Sequence, residues 1–567
     1  MSREQIPHFD DLHLSTPDVG QIEQTIGALS AQLAASDDLE GTDALVRRWD
    51  DEVRSVESWR YLVEARFHQN TNDERLKAEK KTLDEIWPQI VGFHTRVKRA
   101  LLQHRLRPEL EARFGKTAFD LWDLDSRSYA DEIQSDLARE SELVSEYVQL
   151  TGSARFVFRG EDHNLSSIVR YQTDPDRGTR RGAETARWQW FADNSETIDR
   201  IFDDLVQVRN RMALTLGLRS FIELGYLRMQ RVDFTQRDVE RLRSQVVNQL
   251  VPLCSQIRRD QAARLGLEAI AYWDEQVLDA APAPRPQGPP EWICDRASEG
   301  FDELLPELGA LFGLMRERGY LDLVARDGKA PGGFCISVPS VGMPFIFSNF
   351  NGTAQDIVVL VHEMGHAFQY FQSRDLPLYD YLWPTMESAE ITSHGLEYLT
   401  LPLATRLFGS GAERYQRQHV TQNLLFIPYG VAVDEFQHLV YANPAATPAE
   451  RHQMWREVER RYLPSRAFGE LAHPAAGRFW HMQRHIFAVP FYYIDYVLAL
   501  TAAKQIWARS LDDSRDAVGR YLAVARQGGR LPFQQLLRSA GLQSPFEGDC
   551  LQMIVDATRR TLNLDPI

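Results

Sequence analysis

Cysteine is scarce in this chain, with four in 567 residues: Cys254, Cys294, Cys335 and Cys550, far apart and without metal-ligand spacing. That excludes a disulfide framework and a thiolate metal site, and it suits reduced thiols in a cytoplasmic protein. Cys335 reads as a buried structural thiol, the alternative being a thiol that lines a cleft. No run of eighteen apolar residues occurs, so no membrane span is expected. The first residues, Met1 to Pro7, carry no apolar stretch, and no secretory signal is expected either. Positive charge is outweighed, 64 Lys and Arg against 80 Asp and Glu, a net charge of −16. Nucleic-acid binding needs clustered positive charge on phosphates, so a nucleic-acid partner is excluded. The basic cluster Arg177, Arg180 and Arg181 sits among Asp174, Asp176 and Glu184 and reads as salt-bridged helix surface. The remainder, 43% hydrophobic and 25% charged, is ordinary for a globular protein. At this length one simple core does not suffice, and two lobes around a cleft are expected.

The periodicity is helical. Ile90, Phe93, Val97 and Leu101 mark one apolar face among Arg96, Lys98, Arg99 and Arg105, and similar stretches cover about 20–150 and 195–270. The proline-rich run from Ala281 to Pro290 cannot be helical and reads as a connecting loop. Strand signal is confined to Phe334–Val338 and Met343–Ser348, joined by Pro339-Ser-Val-Gly342, a predicted hairpin. Its free edge would let an extended peptide add as a further strand.

The run His362-Glu363-Met364-Gly365-His366 carries the chemistry. On a helix, positions i and i+4 share a face, so both imidazoles reach one metal ion while Glu363 lies beside it as a base. Thr353 and Asp356 read as a capping box at the start of that helix, and Ile357 to Val361 make it apolar nearly all round. A buried helix of that kind needs something to satisfy two histidines and a glutamate. A catalytic zinc site needs a third protein ligand. Beyond Pro384 and Thr385, a second helix carries Glu387, Glu390, His394 and Glu397 as one polar stripe. Glu390, 24 positions after His366, is the preferred ligand, and Glu387, 21 positions after, is its rival. The acid left over, Glu397, would orient a ligand imidazole from behind. Further on, His481 and His485 also stand at i, i+4, but no glutamate lies between them and no acid cluster nearby, so no second zinc is expected. Tyr492, Tyr493 and Tyr496 follow Pro490, an aromatic spacing more often found in a core.

His362-Glu363-Met364-Gly365-His366 followed by Glu390-Ile391-Thr392-Ser393 and Glu397 resembles the M3 metallopeptidases, in the oligoendopeptidase F branch that is similar to thimet oligopeptidase. Gly332-Gly333-Phe334-Cys335, Asn349-Phe350-Asn351-Gly352-Thr353, and His485 with Pro490 to Tyr496 carry the same likeness, which runs from about Asp176 onward. The resemblance implies a mainly α fold, two helical lobes enclosing a deep channel, with a small β-hairpin or sheet beside the zinc site. It favours Glu390 over Glu387 as third ligand, leaving Glu387 and Glu397 behind the ligands. It implies that His485 and a tyrosine stabilise the oxyanion, with Tyr493 and Tyr496 favoured by their spacing and Tyr492 and Gly333 in contact with substrate. The expected division is a helical lobe over 1–150 and a catalytic domain over 151–567.

The expected activity is a zinc-dependent endopeptidase that cuts internal bonds of short oligopeptides, with one Zn²⁺ per chain, a metal-activated water and Glu363 as general base. The alternatives are a peptide-binding protein on an inactive peptidase fold, or a zinc carboxypeptidase. Intact Glu363 speaks against the first, and the want of an arginine near the motif against the second.

Overall fold

The amphipathic runs of the N-terminal third form three long helices, Val19–Ala35, Leu39–Gln69 and Glu74–Leu102. Each starts where an aspartate carboxylate, Asp18, Asp38 or Asp73, accepts from an otherwise orphaned backbone amide of the first turn. Their apolar faces meet in one core of Ile26, Leu29, Leu33, Trp49, Ile90, Val97 and Leu101, into which Leu378 and Tyr381 insert from far along the chain. These come from a computed structural model that describes residues 6–565.

A second core gathers the helix Ser195–Thr215 with Trp188, Phe436, Trp455, Trp480, Phe487 and Phe491. The third and largest joins a small sheet to the remaining helices. Two sheets occur among the described residues. Strands β1 (Phe156–Phe158) and β2 (Glu161–His163) form a short hairpin; β3 (Leu321–Val324), β4 (Phe334–Val338) and β5 (Met343–Phe350) form the other, in the order β3-β5-β4. The expected hairpin is β4 and β5, paired antiparallel from Phe334↔Phe347 to Val338↔Met343, and β4 is an edge strand. Strands β1, β2 and β3 were not foreseen, because three or four residues are too few for alternation to show.

Two local expectations are corrected. Thr353 and Asp356 do not form a capping box. The Asp356 carboxylate instead accepts from the backbone amides of Asn351 and Gly352, and the Thr353 hydroxyl turns to Asn351. The basic cluster is ion-paired, but not with its sequence neighbours. Arg177 and Arg180 both bind the buried Asp274, at 2.7 and 2.8 Å, and Arg181 reaches Glu470. Within the proline-rich run, only the final residue is helical, Pro290 opening Pro290–Leu304 as the first-turn proline that a helix tolerates.

The site is built on three helices that stack in succession: the motif helix Ala354–Ser373, the acidic helix Met386–Leu399 and the tyrosine helix Tyr493–Ser510. Strands β4 and β5 pack on the motif helix, and the N-terminal helix Leu39–Gln69 packs on β4. The lobes therefore meet around the motif. Gly365 makes the first contact possible. A Cβ there would lie 2.5 Å from the Thr392 carbonyl oxygen and 2.6 Å from Ser393 Cα, so only glycine lets the two backbones approach this closely. No helix among the described residues is long and apolar enough to cross a membrane.

Candidate metal centre

His362 and His366 leave the motif helix one turn apart and turn their Nε2 atoms toward the same oxygen. Glu390 Oε2 is 3.2 Å from His362 Nε2 and 3.5 Å from His366 Nε2. Ligand atoms about 2.0–2.1 Å from a tetrahedral zinc stand roughly 3.3 Å from one another, so each imidazole lies at a co-ligand's distance from Glu390, although His366 is not in the set of ligand atoms that lie mutually within 4.8 Å. The donor set, two imidazoles and a carboxylate, is one that zinc takes. Ser393 donates to Glu390 Oε2 at 2.9 Å, and the Tyr492 hydroxyl donates to Glu390 Oε1 at 3.2 Å, which fixes the carboxylate.

Glu397 lies behind this pair. Its carboxylate is nearly fully buried and receives three imidazoles: His362 Nδ1 at 2.7 Å, His394 Nδ1 at 3.0 Å and His419 Nε2 at 3.0 Å. A carboxylate on Nδ1 fixes the His362 tautomer and leaves Nε2 free to ligate. His366 has no such brace, since its Nδ1 is buried without a protein partner. His394 also comes close: one ligand atom each from His362, Glu390 and His394 lie within 4.8 Å of one another. Neither His394 nor His419 was assigned a role from the sequence. His394 was visible only as part of the polar stripe, and His419 carried no signal at all.

The charges explain why a cation suits the place. Burial alone would raise the carboxyls of Glu390 and Glu397, yet the facing imidazoles hold both well below the ordinary range. Burial would likewise lower His362, but Glu390 and Glu397 overcome it and hold the imidazole well above its usual range. Glu363 is different: burial pushes its carboxyl up, only partly opposed by His362 and His366. It is the most basic of the three acids and is hydrogen-bonded to neither imidazole, so it is free to move protons. Gly333 lies alongside, where a Cβ would come within 3.8 Å of Glu363 Oε1 and 2.8 Å of Val359 Cγ1. Cys335 is half-buried rather than buried, and its thiol is raised by burial and by the Glu363 charge, which puts it at this cleft.

The remaining candidates divide. Glu387 is buried, but its carboxylate accepts from Thr385 at 2.5 Å, and the charges it feels are those of Arg231 and Asp233. Burial raises it to about 7. Tyr492 and Tyr496 share a hydrogen bond, and both feel the charge of Glu390. Tyr493 turns its hydroxyl away, toward Gln483. His485 stacks among all three, with ring centroids 5.9, 5.0 and 6.0 Å from Tyr492, Tyr493 and Tyr496. Gln483, which the sequence did not mark, sets the His485 tautomer. Tyr429 donates to Gln483 Oε1 at 2.6 Å, leaving the Gln483 amide to donate to His485 Nδ1 at 2.9 Å. Nδ1 therefore accepts and Nε2 carries the proton. Burial, and then the charge of Arg484, lowers His485 to about 4, so the ring is a neutral donor.

A mostly helical fold with this motif helix against a glutamate-bearing helix is the arrangement of a metallopeptidase. The model of peptidase family M3 matches residues 170–555, and that of the peptidase M3 N-terminal domain matches residues 9–129. The chain belongs to peptidase family M3. Its structure resembles that of PZ peptidase A with inhibitor 2, with a TM-score of 0.92 and 38% identity over 98% of this chain and 99% of that one. It also resembles a Bacillus anthracis str. Ames structure assigned as an oligoendopeptidase F, with a TM-score of 0.87 and 36% identity over 98% of each chain. Among curated proteins, oligopeptidase PepF of Bacillus subtilis (strain 168) is 22% identical over 269 residues, 45% of this chain. An oligoendopeptidase F homolog of Borreliella burgdorferi is 23% identical over 249 residues, 42% of this chain. These two alignments span only 39% and 41% of those relatives' lengths.

Proposed function

We propose that the chain is a zinc-dependent endopeptidase that cleaves internal bonds of short oligopeptides. The observation that carries this reading is the convergence of His362 Nε2 and His366 Nε2 on Glu390 Oε2, with the unpaired, burial-raised Glu363 beside them. His362, His366 and Glu390 would hold one Zn²⁺. His394, whose ligand atom lies within 4.8 Å of those of His362 and Glu390, is the rival claimant, and the i, i+4 spacing of the motif favours His366. Zinc, when bound, supplies a Lewis acid that polarises the scissile carbonyl and acidifies water.

The chain's own residues do the rest. Glu363 accepts a proton from water as its oxygen bonds to the carbonyl carbon. It then delivers that proton to the leaving nitrogen as the C–N bond breaks, so the carboxylate is regenerated. The neutral Nε2–H of His485 and the hydroxyl of Tyr496 would be the donors to the developing oxyanion, the Tyr492 hydroxyl being given to Glu390. Tyr496 is thus a better candidate than Tyr493, whose hydroxyl is engaged by Gln483. The free edge of β4 beside the motif helix suits an extended peptide held by its main chain, which favours broad sequence tolerance.

Substrate size follows from access. The side chains of His362 and His366 are only 21% and 13% exposed, which favours short flexible peptides over folded proteins. A cytoplasmic location fits the free cysteines. The test is zinc content together with cleavage of quenched fluorescent peptides over a length series. Cleavage of internal bonds that falls away for long or folded substrates supports the reading; a zinc-free chain, or trimming from one terminus only, refutes it.

A further inference from the structure

Asp199, His452 and His481 take no part in the chemistry above. Asp199 lies in the first turns of Ser195–Thr215, His452 in the helix Pro448–Tyr462, and His481 in the short helix Phe479–Met482. Asp199 Oδ1 is 3.0 Å from His452 Nε2 and 3.0 Å from His481 Nε2, and one ligand atom from each residue lies within 4.8 Å of the others. His481 is fully buried and His452 nearly so. Behind them, His473 Nε2 stands 3.2 Å from His481 Nδ1.

We propose that Asp199, His452 and His481 form a second metal site, which takes a divalent transition ion of the zinc class and anchors the segment leading to His485. The donor set is the two-imidazole, one-carboxylate set that zinc, cobalt and nickel accept, and the separations are those of neighbouring ligands on one ion. His473 supplies the outer partner that a ligating imidazole requires on its other nitrogen. Asp199, 13% exposed, leaves a solvent-side position for a fourth ligand. The charge of Arg478 reaches both His473 and His481 and opposes a cation there; the Asp199 carboxylate, in contact with His452 and His481, is the negative group that faces it.

The backbone is shaped to close this cluster. Gly477 has φ 85, and a Cβ there would stand 2.1 Å from the His452 carbonyl oxygen, so the chain before His481 is pressed directly onto the helix that carries His452. Tyr147 donates to the His481 carbonyl at 2.9 Å, holding the same turn from the other side. Four residues later comes His485. The anchoring role rests on the reading of His485 given above, whereas metal occupancy does not.

The same distances suit a metal-free arrangement in which both imidazoles donate to Asp199, and a metal count separates the two. The full chain is stripped with chelator, titrated with Co²⁺ alone, and followed by visible absorption and elemental analysis. Wild type should saturate at two equivalents. Asp199→Asn should lose one, or bind it 10–100-fold more weakly, and keep the other. His366→Gln should retain the Asp199 site filled. Saturation of wild type at one equivalent that Asp199→Asn leaves in place overturns the proposal, as does an Asp199→Asn variant that still binds two. If Asp199→Asn does not fold, His366→Gln decides: a retained equivalent supports the second site and none refutes it. A count that falls with Asp199→Asn but is untouched by His366→Gln supports this site while removing the motif site.

Discussion

Replacing Glu397 with glutamine keeps the shape and removes the charge that braces the metal centre. In the folded protein this carboxylate receives His362 at 2.7 Å and His394 and His419 at 3.0 Å each, with almost no access to water. A glutamine offers one acceptor oxygen, and its NH₂ faces donors. At least one imidazole N–H then loses its partner, at a cost of about 1–3 kcal/mol. The effect on the ion comes through His362, whose Nδ1 would lose the anion that fixes its tautomer and raises its basicity. Such outer partners are commonly worth 10–100-fold in metal affinity, about 1.4–2.7 kcal/mol. Competition for zinc against a chromophoric chelator measures this directly, with circular dichroism as the check on folding. A folded Glu397→Gln protein that holds zinc within twofold of wild type would refute the bracing role.

Gln483→Leu should lower kcat by roughly tenfold or more while KM and zinc content stay near wild type, because the His485 tautomer is released and an oxyanion donor is lost; an unchanged kcat contradicts this. Gly365→Ala should destabilise the protein by roughly 1–3 kcal/mol and weaken zinc binding, since the motif and acidic helices must part to admit the methyl; a wild-type melting temperature would count against the close-contact account. Lys504 is fully buried, with one hydrogen bond, to the Val420 carbonyl, and its ammonium lies near the faces of Tyr398 and Trp507. Burial lowers it from 10.5 to about 7. Between those pH values the unfolded chain holds a proton that the native state does not, so stability should rise with pH across that window. Below about 7 the full penalty, on the order of 5 kcal/mol, is present. Lys504→Met should therefore stabilise the protein at pH 6 and flatten the pH 7–10 slope in denaturant titrations; a slope that persists in the variant disproves the assignment.

The sequence made some of this visible and hid the rest for physical reasons. His362 and His366 are legible because a helix converts a spacing of four into one face. The β4–β5 hairpin is legible because two short runs rich in aromatic and branched residues flank turn chemistry between Phe334 and Ser348. Glu390 and Glu397 could be proposed because they recur on a helix marked at both ends by proline. Thr353 and Asp356 misled because the acid had nearer backbone donors in Asn351 and Gly352. Arg180 misled for the same kind of reason: its partner, Asp274, is distant in sequence and buried. The tyrosines could not be told apart, since the first turn of a helix points Tyr492, Tyr493 and Tyr496 in different directions that spacing alone does not orient. His419 and Asp199 were out of reach. Each acts through a contact, with Glu397 or with His481, that only the packing of separate helices creates.

The central claim is that Glu363 is the general base of a zinc peptidase held together by His362, His366 and Glu390. Glu363→Gln keeps the size and polarity of the side chain and removes only its capacity to take a proton. Zinc content and turnover of a quenched fluorescent peptide, measured on the same preparation, form the direct test. The account predicts zinc at the wild-type level with turnover reduced by a factor on the order of 10³ or more. Zinc retained together with turnover near wild type would contradict it.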